Sequence, residues 1–288
     1  MADVLVIGGG PAGSTAALYA LRGGAAVTLL YRDRGALERA ERIENFYGFP
    51  GGISGNELFD RGLRAAEELG ATLVPCEVLS LSFEEKLTAV TDRGVFTGDA
   101  VILAAGASRT RPKLEGFDRL DGSGVSFCAV CDAFLHRGED VAVLGNGPYA
   151  RHEAEVLLPL CRSVTLLTDG AVPACEFPPE VRVDPAPLAA LVGEDRLTAV
   201  RFADGRELEI TALFAALGVA GSTELARKLG AVIEDGRVAV DASFATNVPG
   251  VFAAGDCVGG LAQVSKAVRD GAEAGLSALR YLRKGKKS

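Results

Sequence analysis

Val4-Leu5-Val6-Ile7 is an unbroken apolar run. It is followed by a glycine turn, a segment of helical length and a second apolar run, Val27-Thr28-Leu29-Leu30. Apolar runs this short and continuous predict strands buried on both faces, as parallel sheets require. The same order returns further on, from Val141-Ala142-Val143-Leu144 to Val164-Thr165-Leu166-Leu167. Residues 3–30 and 140–167 align without a gap at an offset of 137, with 12 of 28 positions identical. One βαβ unit is therefore written twice. Two further runs end in small residues, Ala100–Ala107 and Val251–Asp256. Apolar and small positions at helical spacing (Val264, Ala267, Val268, Gly271, Ala272, Gly275, Leu276, Leu279) predict a closing helix over 261–282. The expected fold class is α/β, with two Rossmann-like dinucleotide-binding domains, the second inserted into the first. The predicted boundaries are 1–112 with 245–288 for the outer domain and 113–244 for the inserted one.

Both glycine turns have the composition that phosphate binding needs. The first reads Gly8-x-Gly10-x-x-Gly13 and the second Gly145-x-Gly147-x-x-Ala150. One glycine makes the tight turn and the next lets a diphosphate approach the backbone. The last small residue lets helix and strand pack closely. A single such turn is weak; two, each between a strand and a helix, predict two dinucleotide-type units.

Composition narrows the chemistry. The 288 residues include 36 glycines, and 48% are hydrophobic, enough for a sizeable core. A formal charge of −8 argues against nucleic acid as a partner. No apolar run approaches the roughly 18–20 residues of a membrane span, and no secretory signal is read, so the expected location is cytoplasmic. Six cysteines occur, and only Cys128-Ala129-Val130-Cys131 has a short spacing. In that setting the pair reads as redox chemistry. Zinc would need four ligands, and only His136 and His152 are available beside it, with no second such pair. No metal is expected. Cys76, Cys161, Cys175 and Cys257 read as small hydrophobes or inert thiols.

GGGPAG at 8–13, IENFYGFPG at 43–51, AAGA at 104–107, CAVCD at 128–132 and VFAAGD at 251–256 follow one another in that order. In this the chain resembles the low-molecular-weight thioredoxin reductase family over nearly its whole length. The resemblance implies a homodimer that binds FAD in the discontinuous domain and reduces the disulfide of thioredoxin or a similar protein. Gly8, Gly10, Pro11, Ala12 and Gly13 would then hold the FAD diphosphate, and Asn45 would lie by the flavin. Glu77 and Val78 would serve the adenine side, and Gly106 would lie near the cofactor. Gly255 and Asp256 would meet the ribityl-phosphate region, and Gln263 and Val264 the flavin ring. Tyr31-Arg32-Asp33 stands where an acid often binds the ribose; Asp33, 20 residues beyond Gly13, is the substitute. By the same resemblance Cys131 receives reducing equivalents from the flavin. Cys128 attacks the partner's disulfide, and Asp132 is the general acid-base.

The electron donor departs from the usual pattern. Typical members clamp the 2′-phosphate of NADPH with a basic run after the second unit's second strand. Here no Arg or Lys occurs from Ser163 through Pro179, and Asp169 would repel that phosphate. Tyr149 replaces the family's serine after the glycines, where its ring could fill the cleft. Residues 168–187 carry Pro173, Pro178, Pro179, Pro185 and Pro187, which excludes an ordinary helix there. Gly218-Val219-Ala220-Gly221 stands where the family has Pro-Asn. The chain accordingly resembles the pyridine-nucleotide-independent branch, the ferredoxin-dependent flavin thioredoxin reductases, and ferredoxin is the expected donor. Docking of such an acidic donor would use Arg109, Arg111 and Lys113, or Arg32, Arg34, Arg39 and Arg42, or the tail Arg280, Arg283, Lys284, Lys286 and Lys287.

Three alternatives stand beside this reading. An NADH-dependent thioredoxin reductase-like enzyme would use Asp169, 22 residues after Gly147, on the ribose 2′-OH. An FAD-dependent dithiol oxidase would typically place a histidine after the CxxC, where Asp132 stands. A non-enzymatic flavoprotein would leave the CxxC idle.

Overall fold

The computed structural model describes residues 3–106, 112–218 and 220–285. The chain forms two compact units: Met1–Ser108 with Gly221–Ser288, and Arg109–Ala220.

The first unit begins with β1 (Asp3–Ile7), α1 (Pro11–Arg22) and β2 (Ala26–Tyr31). It continues through α2 (Gly55–Glu68) and β3 (Thr72–Pro75). The Ser54 hydroxyl starts α2 by accepting the Glu57 N–H, which satisfies one of the donors a helix start leaves open. Then come β4 (Val78–Phe83), β5 (Leu87–Thr91) and β6 (Gly94–Gly98), an antiparallel three-stranded sheet, and β7 (Ala100–Leu103).

The second unit repeats this plan. It comprises β8 (Val125–Ser126), the short α3 (Ala129–Asp132), β9 (Asp140–Leu144), α4 (Pro148–Leu157), β10 (Ser163–Leu167) and β11 (Arg182–Asp184). A second antiparallel triplet follows, β12 (Leu188–Val192), β13 (Ala199–Phe202) and β14 (Glu207–Glu209), then β15 (Ala212–Ala215). Its parallel sheet runs β11-β10-β9-β15-β8. The repeat seen in the sequence extends to register: Asp3 pairs with Ala26 through Ile7 with Leu30, and Asp140 with Ser163 through Leu144 with Leu167. Where the first unit inserts α2 before its next parallel strand, residues 168–181 form no helix.

The chain re-enters the first unit with α5 (Ser222–Lys228), the hairpin β16 (Ile233–Glu234) and β17 (Arg237–Val238), β18 (Val251–Ala253) and α6 (Val264–Gly285). The parallel sheet there runs β18-β7-β1-β2-β3. The division thus falls at Arg109 and Gly221, where the sequence suggests 113 and 245. The early return has a physical cause in α5. Ser222 is fully buried and its hydroxyl accepts the Ala105 N–H at 3.0 Å; Lys228 Nζ donates to Leu79 O at 3.1 Å. Helix α6 starts at Val264, three residues after the predicted start, and Leu261 is exposed. It lies along α1 through glycines: a Cβ on Gly271 would sit 2.1 Å from Ala12 O, and one on Gly275 2.6 Å from Ala16 O. No helix among the described residues is long and apolar enough to cross a membrane.

Candidate active site

The first glycine turn is shaped as a cradle. Gly8 has φ +109°, and a Cβ there would lie 2.3 Å from Ala104 O. Gly13 packs so closely that a Cβ would meet Gly8 O at 1.8 Å. Above Gly10, by contrast, a Cβ would meet nothing within 4 Å. Pro11 occupies the first turn of α1, and no side chain caps the helix. An open backbone approach and an uncapped helix start suit a diphosphate, so these residues fit the FAD the sequence implies.

Other predicted binding residues gather around the same unit. Gly255, at φ +84°, faces the cradle: a Cβ there would touch that of Ala12 at 2.9 Å. Asn45 Nδ2 donates to Gln263 Oε1 at 2.9 Å, joining two predicted flavin neighbours 218 residues apart. Val264 opens α6 beside them. Gly106 has φ +74° at the end of the β7 segment, and Asp256 sits in the short turn Gly255–Val258. At the end of β2, Arg32 Nε lies 3.8 Å from Asp33 and 3.9 Å from Glu77. Asp33 Oδ1 also accepts the Gly35 N–H, while Glu77 is buried with Val78 and its N–H donates to Asp92. Sequence reasoning missed Lys266 and Asp270. The Asp270 carboxylate is wholly buried. It accepts the Gly255 N–H at 3.3 Å and pairs with Lys266 Nζ at 2.7 Å, and Lys266 in turn donates to Gly255 O at 2.7 Å. The turn before Asp256 is held from both sides. The only sequence signal was a Lys and an Asp one helical turn apart.

In the second unit Cys128 and Cys131 form a disulfide. Cys128 caps α3 and is buried, while Cys131 is exposed. Cys128 Sγ accepts the Cys131 N–H at 3.2 Å, a contact that would favour a thiolate once the bond is reduced. Asp132 is held by a residue the sequence did not single out. The Ser126 hydroxyl donates to Asp132 Oδ2 at 2.6 Å and accepts the Cys128 N–H at 3.1 Å.

The second glycine turn has a different surrounding. A Cβ on Gly147 would meet nothing within 4 Å, as at Gly10, but the proline-rich segment is tied to the residue beside it. Asn146 O accepts the Ala174 N–H at 2.7 Å, and Asn146 Nδ2 donates to Val172 O at 3.1 Å. Asp169, at φ +48°, uses Oδ1 to accept the Leu188 N–H at 2.7 Å. Tyr149 is buried, and its hydroxyl donates to Phe127 O at 3.0 Å.

Of the remaining cysteines, Cys76 and Cys257 are buried and Cys161 and Cys175 half-buried. Burial pushes the Cys257 thiol up to about 11, and burial also raises Cys76 and Cys161. Of the basic candidates, Arg34 pairs with Asp60 at 3.0 Å and Arg42 with Glu44 at 3.1 Å; Arg39 lies in the turn Gly35–Arg39 and Lys113 is exposed. Arg280 faces Glu273 at 3.8 Å and Arg283 donates to Gly23 O at 3.0 Å. Ala107, Arg109, Arg111, Val219, Lys286 and Lys287 lie outside the described residues.

A diphosphate cradle in one unit and an oxidised thiol pair beside an acid in the other belong, as a class, to flavoprotein disulfide oxidoreductases. The model of the pyridine nucleotide-disulphide oxidoreductase family matches residues 2–183 and 180–271. The thioredoxin reductase of Streptomyces clavuligerus is 36% identical over 302 residues, covering 97% of this chain and 94% of its own. The structure of the atypical thioredoxin reductase TRi from Desulfovibrio vulgaris Hildenborough aligns with a TM-score of 0.91 at 36% identity, covering 99% of both chains. A ferredoxin-flavin thioredoxin reductase from Clostridium acetobutylicum aligns at 0.72 with 30% identity, covering 98% of both. The chain belongs to the low-molecular-weight thioredoxin reductase family of these oxidoreductases. It is an FAD-dependent disulfide oxidoreductase.

Proposed function

We propose that the chain passes electrons from reduced ferredoxin, not from NADPH, through FAD and the Cys128–Cys131 pair to thioredoxin or a similar protein. The observation that carries the donor reading is the pair of hydrogen bonds tying Val172 and Ala174 to Asn146, inside the glycine turn where a nicotinamide dinucleotide would have to settle. Asp169, on which the NADH alternative depends, spends a carboxylate oxygen on the Leu188 N–H. The likeness to the Clostridium acetobutylicum ferredoxin-flavin enzyme supports the same reading. FAD, when bound, supplies the conversion between single-electron delivery and the two-electron reduction of a disulfide. Gly8, Gly10, Pro11, Ala12 and Gly13 would hold its diphosphate, Gly255 and Asp256 the ribityl-phosphate region, and Asn45, Gln263 and Val264 would lie on the flavin side. Asp33, Glu77 and Val78 would serve the adenosine end, and Gly106 would lie near the cofactor.

In this reading Cys131 receives the reducing equivalents and the internal disulfide opens. Cys128 attacks the partner's disulfide, one partner sulfur leaves as a thiolate, and a mixed disulfide forms. Cys131 then attacks the Cys128 sulfur, the partner's second thiolate leaves so that the partner departs as a dithiol, and the internal disulfide is restored. Asp132, oriented by Ser126, carries the sulfur proton. Cys128 is buried in the oxidised form, so it must be uncovered before it meets a protein partner. The assembly is a homodimer in the cytoplasm.

The test is anaerobic stopped-flow spectroscopy of the oxidised holoprotein, mixed separately with NADPH, NADH and chemically reduced ferredoxin. Rapid bleaching of the flavin by ferredoxin alone is expected. Rapid bleaching by either nicotinamide would return the chain to the pyridine-nucleotide-dependent enzymes.

A further inference from the structure

In a nucleotide-binding βαβ unit, the helix after the glycine turn offers its first turns to phosphate. In the second unit those turns serve another purpose. Tyr149 and Glu153 are four residues apart on α4 and so share one face. Both are 1% exposed. The Tyr149 hydroxyl donates to Phe127 O at 3.0 Å, and Glu153 Oε2 accepts the Ala129 N–H at 2.6 Å. Phe127 and Ala129 are the two neighbours of Cys128. The Cys128 N–H itself is fixed by Ser126 Oγ at 3.1 Å. Three backbone groups around this cysteine are therefore held by side chains, two of them from α4.

We propose that α4 acts as a clamp on the redox disulfide, with Tyr149 and Glu153 as positioning residues that fix the backbone on either side of Cys128. A buried carboxylate is costly unless it is well bonded, and a charge-assisted hydrogen bond to a backbone N–H is a strong one. What the clamp controls is the meeting of two sulfurs. Reducing the disulfide breaks the S–S bond and takes up two electrons and two protons, giving two thiols. The reverse closure is intramolecular, and its equilibrium depends on the effective concentration of one sulfur at the other. A held Cys128 raises that concentration. A released one lowers it and favours the dithiol. The same holds for the second step of turnover, where Cys131 must find Cys128 in a mixed disulfide.

The inference rests on Cys128 and Cys131 being the redox centre, and holds for any electron donor. It is tested in the FAD-loaded protein by equilibrating Glu153→Ala, Tyr149→Phe and Glu153→Gln against reduced and oxidised dithiothreitol, with the dithiol fraction read by thiol alkylation and mass spectrometry. Glu153→Ala is expected to shift the equilibrium about tenfold toward the dithiol, and Tyr149→Phe about threefold in the same direction. Glu153→Gln keeps an acceptor oxygen and is expected to restore most of the wild-type value. Resolution of a trapped mixed disulfide with thioredoxin should slow in the same order. Should Glu153→Ala fail to fold, Tyr149→Phe carries the test, since it removes only an oxygen. Unchanged dithiothreitol equilibria with a lowered melting temperature would overturn the clamp and leave these side chains with a packing role. A Cys128→Ser control separates the two readings: full disulfide-reductase turnover by that variant would sink the redox assignment itself.

Discussion

Cys257 follows Asp256 directly, yet its setting is that of an inert core atom. It is 1% exposed, its Sγ lies 3.3 Å from Ala254 O, and burial pushes its thiol from an ordinary 9.0 up to about 11. Because the folded value is raised, the neutral thiol stabilises the fold fully below the unfolded pKa. That contribution is lost as pH climbs from about 9 through about 11, where the unfolded chain ionises first. The effect is at most about 3 kcal/mol. Cys257→Ala should therefore flatten the alkaline fall in unfolding free energy relative to wild type, measured by denaturant titration on either side of that window. Parallel curves for the two proteins would show that Cys257 does not contribute.

At the scale of elements, α6 and α1 approach more closely than side chains allow. Gly271 faces the Ala12 carbonyl, and a methyl there would have to push back the turn that forms the diphosphate cradle. Gly271→Ala is expected to cost about 2 kcal/mol and to speed FAD release, because overpacking here displaces backbone, not a flexible side-chain end. Chemical denaturation and the appearance of free flavin fluorescence would measure both; native stability with native retention of FAD would contradict this packing argument. The same elements show what could be read from sequence. Both βαβ copies and the absence of a helix after β10 were legible, because apolar runs, glycines and prolines act locally. Helix α5 was not: seven residues joined to a two-stranded hairpin carry too little periodicity to reveal that Ser222 belongs with Ala105. Likewise Tyr149 could be recognised as too large for its family position. That its hydroxyl reaches Phe127, and that Glu153 reaches Ala129, depends on how α3 meets α4. No sequence spacing encodes that. Ser126 and Asp132 are six residues apart, but their meeting depends on the tight turn at Cys128.

Considered as a whole molecule, the chain keeps the outer plan of a two-nucleotide enzyme while giving one of its nucleotide turns different partners. A formal charge of −8, with Arg34 and Arg42 paired to carboxylates, leaves the docking segment Arg32, Arg34, Arg39 and Arg42 partly neutralised. Donor choice in this reading therefore depends more on which site is closed than on a strong attractive field. Closure can be measured without turnover. A ligand that binds only the folded state stabilises it by about 2.7 kcal/mol at a hundredfold excess over its dissociation constant, which for a chain of this size raises the melting temperature by several degrees. NADPH or NADH at about 1 mM should leave the melting temperature of the FAD-loaded protein within about 1 °C of the unliganded value. A shift of several degrees would mean that the 168–175 segment yields to nucleotide, whatever the kinetics show. The thermal measurement reads occupancy alone, where the flavin-bleaching experiment reads hydride delivery. A nucleotide could bind without delivering hydride, but it cannot deliver hydride without binding, so a flat thermal response together with rapid bleaching by ferredoxin would exclude nicotinamide at the level of occupancy.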